Sequence, residues 1–490
     1  MSDIARFFKH STIYTIGNLF NRIGAFVLLP VYTNYLTVGE YGTIELFYII
    51  SSVATGFLAI GIAHATLRFY FDYDDLSDQN ASVSTNYIGS FCISIIGISV
   101  LALFSGELTE RLFETKSLQI GMYLVFATLV FELSSQICLA YIRAIEQSKL
   151  FVIISIAKLV IQVVINSYLV IVENAGVIGV LVGNLATVFL GWAILSIYTL
   201  KRCGISFHWS KFVPVIKYSY PFLLSTIMAL IANNADKFIL NHLMTVEALG
   251  VYALALKFSM LLEQMIGEPF SKSYGAFRYT IMNRDNAGNL QADIVRYLLI
   301  MAVFSGLAIS LFVEDLLIIM SKPTFWAAAD LVPILMLASI FKLIKYPIAT
   351  GILFAKKTKY FFYFTSLAAF ISPILNFSLI SYIGLFGACV SLVIIQALLF
   401  FLMNHYSQKY FEVRYDIVKI LLIIFPAVAT YLMSILFEPS SMVLDATFKL
   451  VLLLIYVAIV FKSPAITSEE IEKLQVFIKT KMLRKRIAKK

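Results

Sequence analysis

Charge is scarce in this sequence. Asp, Glu, Lys and Arg make up 14% of its 490 residues, where a soluble domain carries about 25%. Histidine and cysteine are rarer, at five and four. Cys92, Cys138, Cys203 and Cys389 stand far apart, mostly inside apolar runs. There is no CxxC and no Cys/His cluster, which excludes a disulfide framework and a structural zinc site. His10, His64, His208, His242 and His405 are scattered, and no HExxH, GxxxxGK[ST] or GxSxG motif is present. The longest polar loops are about twenty residues, too short to house a soluble catalytic domain. The sequence is therefore not read as an enzyme, and no metal or cofactor is expected. What it has in excess is apolar: 60% of the residues are hydrophobic, and the mean hydropathy is +0.87. Its solvent is mostly lipid, and the expected fold is an all-α polytopic membrane protein.

Apolar runs separated by charged or Gly/Pro breaks give about fourteen spans. They cover 11–36, 43–67, 85–104, 118–141, 150–172, 177–200, 217–242, 249–273, 294–313, 326–350, 360–382, 385–407, 417–437 and 443–462. The runs are continuously apolar, unlike the alternating strands of a membrane barrel. Lys and Arg collect in alternate loops, with Arg143 and Lys149, Lys201 and Arg202, Arg278 and Arg284, Lys356 and Lys357, and Lys409 and Arg414 on one side. The positive-inside rule puts that side, and both termini, in the cytoplasm. One loop dissents, with Asp72, Asp74, Asp75 and Asp78, but acids weigh little in the rule. The net charge of +9 thus reads as topology rather than nucleic-acid binding. The tail, 463–490, reads as a basic amphipathic helix on anionic headgroups.

The two halves resemble each other at a nearly fixed offset. Asn34-Tyr35-Leu36 matches Asn241-His242-Leu243, and Glu40 and Gly42 match Glu247 and Gly250. Ser148-Lys149-Leu150-Phe151 matches Thr358-Lys359-Tyr360-Phe361, and Asn166 matches Asn376. Gly176-Val177-Ile178-Gly179 matches Gly384-Leu385-Phe386-Gly387. The order is kept across spans 1–6 and 7–12. That describes a parallel repeat about the membrane normal, with a site between two lobes. The expected division is 1–205, 206–410, two extra spans over 411–462, and the tail. Pro30, Pro221, Pro269, Pro333, Pro347 and Pro373 lie in or near spans, where each is expected to kink its helix.

Ionisable residues inside spans are costly, so they are expected to face protein or water. Glu45, Lys237 and Lys257 are close enough to interfaces to snorkel. Arg22 and Lys158 sit too deep for that and are expected to face a water-filled cavity. Lys342 and Lys345, three apart, project from neighbouring positions on one face. Glu132, Asp236 and Glu263 either couple a proton or sodium ion or balance neighbouring bases. Bases outnumber acids in this set, so the cavity should attract an anion.

The stretch from Ser11 to Gly42, with Arg22 and Leu36-Thr37-Val38-Gly39-Glu40-Tyr41-Gly42, resembles bacterial polysaccharide repeat-unit flippases of the Wzx type. So do Arg143-Ala144-Ile145-Glu146-Gln147-Ser148-Lys149, Asn234-Ala235-Asp236-Lys237-Phe238-Ile239-Leu240 and Gly250-Val251-Tyr252. The resemblance implies the fold of the multidrug/oligosaccharidyl-lipid/polysaccharide exporter superfamily, with two six-helix lobes. It implies that an undecaprenyl-pyrophosphate-linked oligosaccharide crosses the bacterial inner membrane during synthesis of O-antigen, capsule or another surface polysaccharide. Arg22 matches the span-1 arginine that holds pyrophosphate in related lipid flippases. On this reading Arg22, Lys158, Lys342 and Lys345 take the pyrophosphate, and Asn18, Gln162, Asn166, Asn233 and Asn376 meet sugar hydroxyls. Lipid-linked oligosaccharide and membrane lipid are the expected partners, with a polysaccharide polymerase and chain-length regulator as further ones. Two alternatives stay open: an ion-coupled drug exporter of the same fold, and a non-transporting scaffold of a polysaccharide assembly complex.

Overall fold

The structure is a computed structural model that describes residues 26–59, 61–282, 284–437 and 441–466. Asn18 and Arg22, and most of the tail, lie outside the described residues. The described chain is helical, and no strand occurs among these residues. In chain order its helices begin α1 (Leu29–Tyr35), α2 (Val38–Leu58), α3 (Ile62–Tyr70), α4 (Leu76–Leu103), α5 (Ser105–Phe113) and α6 (Gln119–Ala144). Then come α7 (Ser148–Ser167), α8 (Gly176–Cys203), α9 (Trp209–Leu243), α10 (Val246–Leu262), α11 (Glu268–Ile281) and α12 (Ala287–Met320). The last six are α13 (Val332–Ile348), α14 (Thr350–Phe354), α15 (Lys359–Ile383), α16 (Leu385–Gln408), α17 (Ile417–Leu436) and α18 (Met442–Lys462).

Twelve described helical segments are long and apolar enough to cross a membrane. They correspond to all the expected spans except the first and seventh. Of the first, only residues from 26 onward are described. The seventh lies in α9, which carries Asn233, Asn234, Asp236 and Lys237 within one turn.

Local chemistry explains several boundaries. Thr37 and Glu40 form a reciprocal capping box that starts α2. The expected span 43–67 is broken in two, because Gly61 adopts a left-handed φ of 72° between α2 and α3. Asp75 caps α4, and its hydrogen bonds from Ser77 hold its carboxyl below the usual range. Pro30, Pro269 and Pro333 sit in the first turns of α1, α11 and α13, the last two directly after a π-helical and a 3-10 turn. Pro347 and Pro373 are interior, as expected.

By internal contacts the chain separates into two compact units. The first takes residues up to Leu254, with Met320–Ala328 and Phe361–Ile395. In it α6 packs against both α4 and α8, and its buried face joins Ile137, Cys138 and Ile142 to Ile62, Tyr87, Phe151 and Leu195. The second takes Ala255–Ile319, Ala329–Tyr360 and the chain from Gln396 onward. There α17 packs on α18, and the Lys449 ammonium, buried on α18, meets Asp315 of α12 at 2.9 Å and Asp445 at 2.5 Å.

Positions matched by the internal repeat take matched conformations. Glu146 and Lys356 end their helices with φ of 55° and 56°. After each, the next N–H reaches back to a carbonyl five residues earlier, Gln147 to Ile142 and Lys357 to Ile352, both at 3.0 Å. Gly176 and Gly384 share φ values of 54° and 58°. Inside the first unit the matching becomes reciprocal contact. Gly42 lies against the Val246 carbonyl and Gly250 against the Val38 carbonyl, so closely that a Cβ on either glycine would overlap the facing oxygen.

Candidate functional site

Lys158 projects from α7, and its methylenes lie against Gly191 of α8. A side chain at position 191 would occupy that path. Its ammonium stays within electrostatic range of Glu132 on α6, and among the described residues no hydrogen bond or ion pair holds it. One turn further along α7, the sequence-predicted pair Gln162 and Asn166 enters a polar cluster. Gln162 donates to the Asn184 side-chain oxygen at 3.1 Å, and Asn166 donates to the same oxygen at 3.2 Å and to the Tyr32 hydroxyl at 2.6 Å. Asn184 in turn donates to Tyr48 at 3.0 Å. Asn166 is fully buried against Gly183. The cluster ties α1, α2, α7 and α8 together. Spacing on α7 put Gln162 and Asn166 on one face. Asn184 and the two tyrosines carried no in-span charge and escaped the sequence reading.

Asp236 on α9 is buried and accepts a hydrogen bond from Tyr252 at 2.6 Å. Its other oxygen has no hydrogen-bond partner among the described residues. Asn376 on α15 is buried too and donates to Ser372, and its own amide oxygen has no hydrogen-bond partner among the described residues. Asn233, by contrast, is exposed.

The second unit holds the other predicted charges. Glu263 begins a single π-helical turn, Glu263–Gly267, that interrupts the eighth expected span. Such turns often mark functional positions in helices. The Glu263 carboxylate meets the Lys342 ammonium at 2.5 Å and accepts from the Tyr346 hydroxyl at 3.0 Å. Lys345, one turn along α13, donates to the Gln396 side chain of α16 at 2.5 Å. Lys342 and Lys345 therefore do project together, as their spacing implied, but into different company. The acid pairs with Lys342, while Lys345 meets the neutral amide of Gln396. An oxyanion presented here would find a lysine without a carboxylate in contact among the described residues and two hydrogen-bonding side chains.

The buried Lys449, with Asp315 and Asp445, was missed. Asp445 and Lys449 lie four apart near the start of the last span, a position that reads as interfacial. Among the described residues no group of three His, Cys, Asp or Glu side chains is placed to hold a metal ion.

Set beside solved proteins, the chain is similar over 92% of its length to 99% of a lipid II flippase in an inward closed conformation, with a TM-score of 0.74 at 16% identity. It is also similar, over 81% of its length and 94% of the other chain, to an inward-facing multidrug resistance transporter of the MATE family, with a TM-score of 0.58 at 13% identity. An outward-facing transporter of that family aligns with a TM-score of 0.55 at 12% identity, covering 82% of this chain and 95% of the other. At these identities the likeness establishes the fold, that of the exporter superfamily the motifs resembled. No curated protein matches the sequence. A family model described as "Polysaccharide biosynthesis protein" matches residues 33–306. That match spans more than half of the chain, and so the chain belongs to the polysaccharide biosynthesis protein family.

Proposed function

We propose that this protein moves an oligosaccharide linked through pyrophosphate to undecaprenol from the inner to the outer leaflet of a bacterial inner membrane. Two lobes, 1–205 and 206–410, rock about a site between them, with 411–462 as extra spans and both termini in the cytoplasm. The cargo would serve surface polysaccharide synthesis, O-antigen or capsule among them, handed on to a polymerase and chain-length regulator. The observation that carries the reading is the family match on the fold of a lipid flippase. The in-span charges support it. Among the described residues Lys158 and Lys345 have no carboxylate in contact, and with Arg22 they would supply the cationic surface that pyrophosphate needs. Asp236, with an oxygen that no described side chain engages, is where a proton or sodium ion would couple.

A strain that depends on this protein for its surface polysaccharide tests the reading. Arg22→Ala and Lys158→Ala should each abolish the polymer while the protein stays in the membrane at normal level. Normal polymer in both strains would refute the cationic site. A second reading rests on the MATE likeness, namely export of a small cationic drug against an ion. It requires drug sensitivity with unchanged surface polysaccharide on deletion. The scaffold reading requires that every in-span charge substitution be tolerated.

A further inference from the structure

Two cavities of the second unit run into each other. The larger is about 880 Å³ and is lined almost wholly by apolar side chains of α12, α13, α16 and α17, such as Leu299, Val303, Ile340 and Phe400. Leu337, Phe401, Ile417 and Leu432 on its lining are exposed. It is thus an open cleft rather than a sealed void. The smaller, about 180 Å³, lies between residues 289–296 of α12 and residues 414–420. Val295, Tyr415 and Ile420 line both. The result is one site with an apolar body and a polar mouth.

The mouth carries both signs. Arg296, Arg414 and Lys419 line it together with Asp293 and Asp416. Arg296 meets Asp293 at 2.9 Å, Lys419 meets Asp416 at 3.7 Å, and the exposed Arg414 meets Glu412, just outside the lining, at 3.2 Å. Each of these pairs closes within one stretch of chain. The Asp293 and Asp416 side chains remain 48% and 50% exposed, which leaves each carboxylate room for another donor.

An occupant must therefore offer acyl chains, an anion and a hydrogen-bonding cation, in that order along its length. The geometry points to a resident aminophospholipid, of the phosphatidylethanolamine kind. Its chains lie in the cleft, its phosphate meets Arg414, Lys419 and Arg296, and its primary ammonium meets Asp293 and Asp416. A purely anionic headgroup would face two carboxylates it cannot satisfy, and a choline headgroup has no N–H to give them. The loops forming the mouth are on the side that the positive-inside rule makes cytoplasmic, where basic pockets between spans hold lipid headgroups. This lipid is distinct from any transported cargo, and the inference stands whether or not the proposed function does.

The test is lipid binding by the full-length protein, purified and delipidated in detergent, read by native mass spectrometry and thermal unfolding. Dioleoyl-phosphatidylethanolamine should bind about tenfold tighter than the phosphatidylcholine and phosphatidylglycerol of the same chains, a difference of about 1.4 kcal/mol. Asp293→Asn with Asp416→Asn should erase that preference, and Arg414→Ala with Lys419→Ala should weaken all three lipids. Val303→Trp, or the milder Leu299→Phe, should obstruct the cleft and reduce binding of all three with the mouth intact. Equal binding of the three lipids, a preference for phosphatidylglycerol, or a preference that survives the two Asn substitutions would overturn the proposal. The exposed mouth variants decide the matter even if the cleft variants unfold.

Discussion

Asn34 donates its side-chain amide to the Met320 carbonyl at 2.9 Å, at the end of α12. Its repeat counterpart, Asn241, donates to the Leu112 carbonyl at 3.1 Å, near the end of α5. Each repeat's first span thus ends on a backbone carbonyl of the other repeat. Asn34→Ala and Asn241→Ala should lower stability by similar amounts, about 1 kcal/mol each, since each removes one amide–carbonyl bond between the repeats, the second Asn34 bond, to Pro30, being local and exposed. Thermal unfolding in one detergent, with both variants side by side, checks it. A large effect at one site and none at the other would break the equivalence.

Gly42 and Gly250 predict a sharper effect. A methyl group at either position meets a backbone oxygen, which cannot rotate away. Gly42→Ala and Gly250→Ala should each cost about 1–3 kcal/mol by overpacking. Gly204, with open space around its Cβ direction, is a poor control because its φ is 74°. Gly106, whose nearest neighbour is 3.5 Å away, is the better one and should tolerate Ala.

The buried ion group of Lys449 predicts a loss of stability unrelated to transport chemistry. Lys449→Met leaves Asp315 and Asp445 without their shared cation and should destabilise the protein by about 3–5 kcal/mol. Adding Asp315→Asn and Asp445→Asn should recover much of the loss. If Lys449→Met alone unfolds like the parent in a thermal scan, the group is not holding α12 to α18.

Glu263 and Lys342 predict a charge-swap result. Glu263→Gln leaves Lys342 without its carboxylate and, on the proposed function, should lower surface polysaccharide, measured on whole cells. Glu263→Lys should be worse, and combining it with Lys342→Glu should restore part of the activity. No rescue would mean that the pair is not what matters about these residues.

Much of the architecture could be read from the sequence because lipid is an exacting solvent. Long apolar runs mark spans, and the twelve helices long enough to cross fall where the runs fall. The break at Gly61 was missed, since a single left-handed residue leaves the hydropathy of 43–67 unchanged. The site was legible as a set of charges but not as a set of pairings. Glu263 and Lys342 are distant in sequence, and hydropathy cannot say that they meet while Lys345 turns to Gln396. Asn184 was invisible for another reason. An amide in a span costs less than a charge and is common at helix contacts, so only its three hydrogen-bonded neighbours single it out.

The seam formed by Gly42 on Val246 and Gly250 on Val38 has a historical consequence. A contact in which the same two positions face each other, once in each direction, is the geometry of an isologous homodimer interface. Fusing two such protomers end to end would keep that interface inside a single chain and free its sides to diverge. Drift could then tailor each copy's spans separately, while the two glycines had to stay small together.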